Sequence, residues 1–209
     1  MDYSLPEEHF QQKIEMIIEE TLNEKRTALS IRDFKMEEEG ENLSHVKCIL
    51  VTDGKATSLH GAGEGIVDAL FTALVGHFCH TCLCLNTIEF EDFSLKVHLE
   101  EGQKSYRSNA PVNITLVLKT DLNTRLYFRA TSRSMVSAAI EAVRKSIEFL
   151  INCEKGVTEL YLHIEDLRHA GRNLAAEDRV IKLGEVVRVA NFEETIKRIK
   201  WQTKKHPHN

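Results

Sequence analysis

Two short stretches of the 209-residue chain carry residues whose types and spacing suit chemistry. The first is Gly61-Ala-Gly-Glu-Gly-Ile-Val-Asp-Ala-Leu70, three alternating glycines ahead of an apolar run. Glycines let the backbone approach a ligand closely, and the free N–H groups of a helix start favour a carboxylate or phosphate. A nucleotide loop is a poor match. The dinucleotide fingerprint needs glycine where Ile66 stands, a P-loop would close on Gly-Lys-Ser/Thr, and no acidic residue ends a second parallel strand about 20 residues on. A small-anion cradle and a plain strand-to-helix turn both stay open. The second stretch, His77-Phe-Cys-His-Thr-Cys-Leu-Cys84, packs two histidines and three cysteines into eight residues. Zinc takes such ligands, but structural sites pair two knuckles across a longer span, and no second CxxC follows. Cys79, Cys82 and Cys84 therefore read as small buried apolar residues where a helix ends, and no metal site is expected. A redox role for Cys79 and Cys82 lacks a surrounding βαβ pattern. Ser132-Arg133-Ser134 reads as a helix-capping stretch, and Glu37-Glu38-Glu39 as a solvated turn.

The elements that must position these residues follow from periodicity. Ser4 and Glu7 make a capping-box pattern with Pro6 in the first turn, and Phe10, Ile14, Ile17, Ile18 and Leu22 share one helical face. Strands are expected near 29–37, 45–52 and 55–61, the last two joined by an Asp53-Gly54 hairpin turn. A helix follows over about 66–78. The same order then recurs. Ile31-Arg-Asp-Phe-Lys-Met36 is echoed by Phe90-Glu-Asp-Phe-Ser-Leu95, Glu38-Glu-Gly40 by Glu100-Glu-Gly102, Thr52-Asp53 by Thr120-Asp121, and Ile66-Val-Asp-Ala69 by Met135-Val-Ser-Ala138. A longer loop around 102–111 absorbs the drift in spacing. Four matches in one order indicate a diverged duplication of a strand–strand–strand–helix unit, two copies that pack on each other. The second helix is expected over about 134–152, and residues 157–205 read as two or three further helices. One covers 158–167; the last is capped by Asn191, with Glu193/Lys197 and Glu194/Arg198 at favourable spacing.

The expected fold is thus α+β: two repeated βββα units, each an antiparallel three-stranded meander with a covering helix, flanked by an N-terminal helix (1–27) and a C-terminal helical extension (154–209), with the duplicated domain at 28–153. A net charge of −5 argues against a general nucleic-acid binder. No apolar run approaches the roughly 20 residues that cross a bilayer. The acidic start lacks a signal peptide's basic and apolar regions, and five cysteines fit a reducing compartment, so a cytoplasmic location is expected.

Gly63-Glu64-Gly65-Ile66-Val67-Asp68-Ala69 resembles the G-x-G-P-V-D-A motif of the C-terminal regulatory (dimer) domain of 2-isopropylmalate synthase and citramalate synthase. That domain has two three-strand-plus-helix units, the second opening with an apolar-x-Asp-Tyr strand, matched here by Phe90-Glu91-Asp92-Phe93. The resemblance covers roughly residues 28–152. It implies a stand-alone homodimeric module that binds an end-product amino acid, leucine or isoleucine, at the dimer interface and controls a separate catalytic protein of leucine or related branched-chain biosynthesis. By the same resemblance Gly63, Gly65, Val67 and Asp68 would sit beside the effector, with Asp92, Phe93 and Val97 from the second unit. A zwitterion needs donors for its carboxylate, an acceptor for its ammonium group and an apolar slot. Backbone N–H groups after Gly63, the Glu64 or Asp68 carboxylate, and Val67 with Phe93 would meet those needs. Two departures stand out: Ile66 replaces the motif proline, and Phe93 lacks the tyrosine hydroxyl. The barrel of about 250 residues that carries the synthase reaction has no counterpart, and only His206-Pro207-His208 matches its metal-binding H-x-H. No synthase activity and no cofactor are expected. The alternatives are a dimerisation or adaptor protein with a vestigial pocket, and a small-molecule enzyme using the glycine pocket.

Overall fold

A computed structural model describes residues 4–97 and 110–205. The Glu100-Glu101-Gly102 echo, most of the loop expected around 102–111, the Ser4 side chain and His206-Pro207-His208 lie outside the described residues. Helix α1 (Ser4–Leu22) and a single 3-10 turn (Asn23–Lys25) lead into strands β1 (Leu29–Glu39), β2 (Leu43–Thr52) and β3 (Lys55–Gly63), then helix α2 (Gly65–Phe78). After a 3-10 segment at Leu83–Thr87 come β4 (Ile88–Val97), β5 (Val112–Thr120), β6 (Arg125–Ser132) and helix α3 (Met135–His169). Helices α4 (Asn173–Val186) and α5 (Glu193–Lys205) complete the described chain. Two separate antiparallel sheets result, ordered β1-β2-β3 and β4-β5-β6, so the molecule is α+β with the βββα unit repeated.

Local chemistry accounts for the meanders. Buried and exposed residues alternate along β2, with Ser44, Val46, Cys48 and Leu50 turned inward. Asp53 and Gly54 hold φ of 49° and 75°, the primed turn that matches strand twist and sets Thr52 opposite Lys55. The first strand of each unit carries a bulge at the equivalent place, between Arg32 and Lys35 in β1 and between Phe90 and Asp92 in β4. A shared irregularity at a shared position is structural support for the duplication that the four sequence echoes suggest.

Helix α3 is the spine. Its 35 residues run on where a break was expected near 152–158. Between Ser146 and Glu154 it is buried on nearly every side, packed by α1, α2 and the strands of the second unit. Gly156 lies within this helix, and a Cβ there would meet Ile18 Cδ1 at 2.2 Å. Gly156 is the place where α1 crosses closely.

Two side-chain amides pair with backbone groups at the edge of β6 and just ahead of β1. Gln11 accepts from the Tyr127 N–H (2.8 Å) and donates to its carbonyl (3.1 Å), covering the outer edge of β6. Asn152 does the same for Thr27, accepting at 2.8 Å and donating at 2.9 Å. Just beyond, Glu148 accepts from the Leu29 N–H (2.7 Å) and Arg144 donates to the Leu29 carbonyl (3.2 Å). Helices α1 and α3 thereby fasten both units into one continuous apolar core.

Candidate functional site

The glycine stretch forms the corner between β3 and α2. Asp68 Oδ2 accepts a hydrogen bond from the Glu64 N–H at 2.8 Å, a helix residue reaching back to satisfy the donor at its own start. Gly65 holds φ of +85°, a conformation that favours glycine. Close packing explains the other two glycines. A Cβ at Gly61 would fall 2.2 Å from the Ala69 carbonyl, and one at Gly63 would fall 2.3 Å from Asp68 Oδ2 and 2.6 Å from the Ala69 nitrogen. The corner opens onto a shallow cavity of about 280 Å³ bordered by Glu38, Glu41, Ser44, Glu64 and Gly65. Its carboxylates suit an ammonium group, while the start of α2 suits a carboxylate. Val67 is 8% exposed and belongs to the core of its own chain.

The second group of site residues stands on β4, the edge strand of the other sheet. Phe93 and Val97 pair with Leu116 and Val112 on the helix-covered side of the sheet. Asp92 pairs with Val117 and points to the opposite side, its Oδ1 accepting from the Phe93 N–H at 2.8 Å. Phe90 touches α2 edge-on through Phe71, with ring centroids 6.4 Å apart. Among the described residues no hydrogen bond joins the Gly63–Asp68 corner to Asp92, Phe93 or Val97 within one chain. Phe90, Phe93, Leu95 and Val97 are 37–49% exposed, although Phe93, Leu95 and Val97 share a face with the buried Leu116 and Ile114. A strip of core-side apolar surface is left uncovered.

The histidine–cysteine stretch divides. Cys79 is partly exposed at the end of α2, whereas Cys82 and Cys84 are buried beneath α3 and α5. There Glu154 Oε2 accepts from the Cys84 N–H (2.9 Å), and Oε1 accepts from Thr195 Oγ1 (2.8 Å) and Arg198 (3.1 Å). Arg198, expected to pair with Glu194, is turned inward to the buried carboxylate, while Lys197 pairs with Glu193 at 3.0 Å as its spacing suggests. The hydrogen bond with Cys82, together with burial, raises the Cys84 thiol well above its ordinary range, and burial does the same for Cys153. Glu154 escaped the sequence reading because a lone glutamate in a long helix resembles a solvated residue. The available signal was its setting, with Leu150, Ile151, Cys153 and Val157 apolar on all sides.

Ser134 caps α3 as expected, its Oγ accepting from the Ser137 N–H at 3.2 Å. The Glu37–Glu39 run lies on exposed β1.

Paired βββα units around a common core, with an acidic corner at the first helix start and an open apolar edge strand, define a regulatory type of domain. The chain belongs to the LeuA allosteric (dimerisation) domain family, which matches residues 8–151. No curated protein matches the sequence. The family match begins earlier than the motif resemblance near residue 28 and takes in most of α1, in keeping with the Gln11 contact to β6. Among the described residues no helix is long and apolar enough to cross a membrane.

Proposed function

We propose that this chain is a non-catalytic regulatory module that pairs with a second copy of itself, binds a small amino acid, and passes that binding to a separate catalytic protein in the cytoplasm. Branched-chain amino acids of the leucine-biosynthesis type are the leading ligands. The observation that carries the reading is the uncovered apolar face of β4 in a chain of a dimerisation family. Pairing across that face would bring the Asp92, Phe93 and Val97 strand of one copy toward the Gly63–Asp68 corner of the other. Asp68 and Glu64 would receive the ammonium group, the N–H groups at the start of α2 the carboxylate, and Phe93 with Val97 the side chain. Val67 would support the corner from beneath.

A second reading, dimerisation with a vestigial pocket and a partner held by the C-terminal helices, draws on the same corner. Gly63 and Asp68 each have a complete structural reason to be there, close packing in one case and a helix-start hydrogen bond in the other. Melting in the presence of each amino acid separates the two. A ligand that binds only the folded state at 100 times its dissociation constant stabilises it by about 2.7 kcal/mol. Leucine, isoleucine or valine should raise the melting temperature of the wild type, and Glu64→Gln with Asp68→Asn should lose most of that shift. No shift with any amino acid would favour the vestigial pocket.

A further inference from the structure

Apart from the corner, and independently of amino-acid binding there, the core holds a group of metal-ligating side chains. The Cys82 and Cys84 sulfurs are 3.5 Å apart, and with a Glu154 carboxylate oxygen the three donor atoms lie within 4.8 Å of one another. All three residues are nearly excluded from solvent, at 4%, 1% and 4% exposure. Two sulfurs bound at about 2.3 Å to one tetrahedral ion would stand about 3.8 Å apart, so the observed spacing needs little adjustment.

We propose that Cys82, Cys84 and Glu154 form a binding site for one thiophilic divalent cation, with zinc the best match to two sulfurs and a carboxylate.

Three further features support it. Glu154 is already oriented by Thr195, Arg198 and the Cys84 N–H, as outer partners orient a metal ligand. The charges also balance. Glu154 and Arg198 are opposite charges 3.1 Å apart. Coordination would release one proton from each thiol to solvent, and the two negative charges created would be offset by the cation. The buried site therefore stays neutral, which is the condition for burying charge cheaply. Finally, a cavity of about 440 Å³ bordered by Thr81, Cys82, Glu154 and Arg198 gives a route from solvent and room for a water as fourth ligand. The nearby His77 is engaged elsewhere, its ring edge-on to Phe78 at 4.6 Å.

The test uses the full chain, reduced and stripped of metal, titrated with Co(II) alone and then Zn(II) alone. One ion per chain should bind, with an intense thiolate-to-cobalt charge-transfer band that zinc abolishes. Cys82→Ser and Cys84→Ser should each weaken binding more than an outer-partner change does, and Thr195→Val should weaken it about 10- to 100-fold. His77→Ala, Cys79→Ser and His80→Ala should bind as the wild type does. If Cys84→Ser fails to fold, the wild-type cobalt spectrum and Cys82→Ser decide the matter. Absence of a charge-transfer band in the wild type, or undiminished binding by Cys82→Ser, would overturn the proposal. So would loss of binding in the His77, Cys79 or His80 variants, which would place the ion on the exposed stretch instead.

Discussion

At the scale of single residues, carboxylates in this molecule are chiefly fasteners. Asp68 holds the start of α2, Glu148 holds the start of β1, and Glu154 gathers the 3-10 segment after α2 onto α5. Glu141 offers a measurable case. The Arg144 guanidinium donates to it at 2.8 Å, and that contact keeps its carboxyl below the ordinary glutamate range. A depressed folded-state value means that the stabilisation is fully present above the free value of about 4.3 and is lost as the pH falls through the folded one. Glu141 is 41% exposed, so solvent screening limits the effect to less than about 1 kcal/mol. Glu141→Gln should therefore lower the urea midpoint modestly at pH 6, with the gap from wild type closing toward pH 3. A gap that stays constant across that range would show that the ion pair contributes nothing. The glutamates also mark a limit of legibility. Glu193 and Lys197 paired as their spacing indicates, but Arg198 left its helical neighbour for a buried partner 44 residues away, which helical periodicity does not reveal.

At the scale of elements, strands and the first repeat's helix were legible because each is specified locally: alternation in β2, a two-residue primed turn, an apolar run after the glycines. Helix α3 was not, because its continuity depends on α1. Glycine inside a helix is unfavourable by roughly 1 kcal/mol relative to alanine, yet Gly156 is held there by the approach of Ile18. The candidate site was legible as a list of residues and not as a place. Spacing pointed to Gly63 and Asp68, but only the packed structure shows that Gly63 is required by α2 itself. The same close approach gives a prediction for Gly61. Gly61→Ala would push a methyl group against the Ala69 carbonyl, a backbone atom that cannot swing aside, and should destabilise the fold by about 1–3 kcal/mol. Urea denaturation measures this; an unchanged or raised midpoint would mean that β3 and α2 have room to separate.

At the scale of the whole molecule, the two edges of the second sheet are treated unequally. β6 is covered by Gln11, whereas β4 presents Phe93, Leu95 and Val97 to solvent. Exposed apolar edge strands invite pairing, and a symmetric dimer is the commonest way to satisfy them. The chain should sediment as a dimer at micromolar concentration, and Leu95→Lys should shift it toward the 23.9 kDa monomer, with a melting temperature that no longer rises with concentration. A wild type that sediments as a monomer would remove the shared pocket along with the interface. The paired bulges also act as an arithmetic device. Apolar positions run 29 and 31, then 34 and 36, in β1, and 88 and 90, then 93, 95 and 97, in β4. The count changes from odd to even in one unit and from even to odd in the other, and the extra residue absorbs the slip. Deleting Glu91 would straighten β4 yet leave every side chain on its own face. Inserting one more residue that the bulge failed to take up would turn Phe93, Leu95 and Val97 to the far side of the sheet, so the molecule's capacity to meet its twin depends on a phase shift of a single residue.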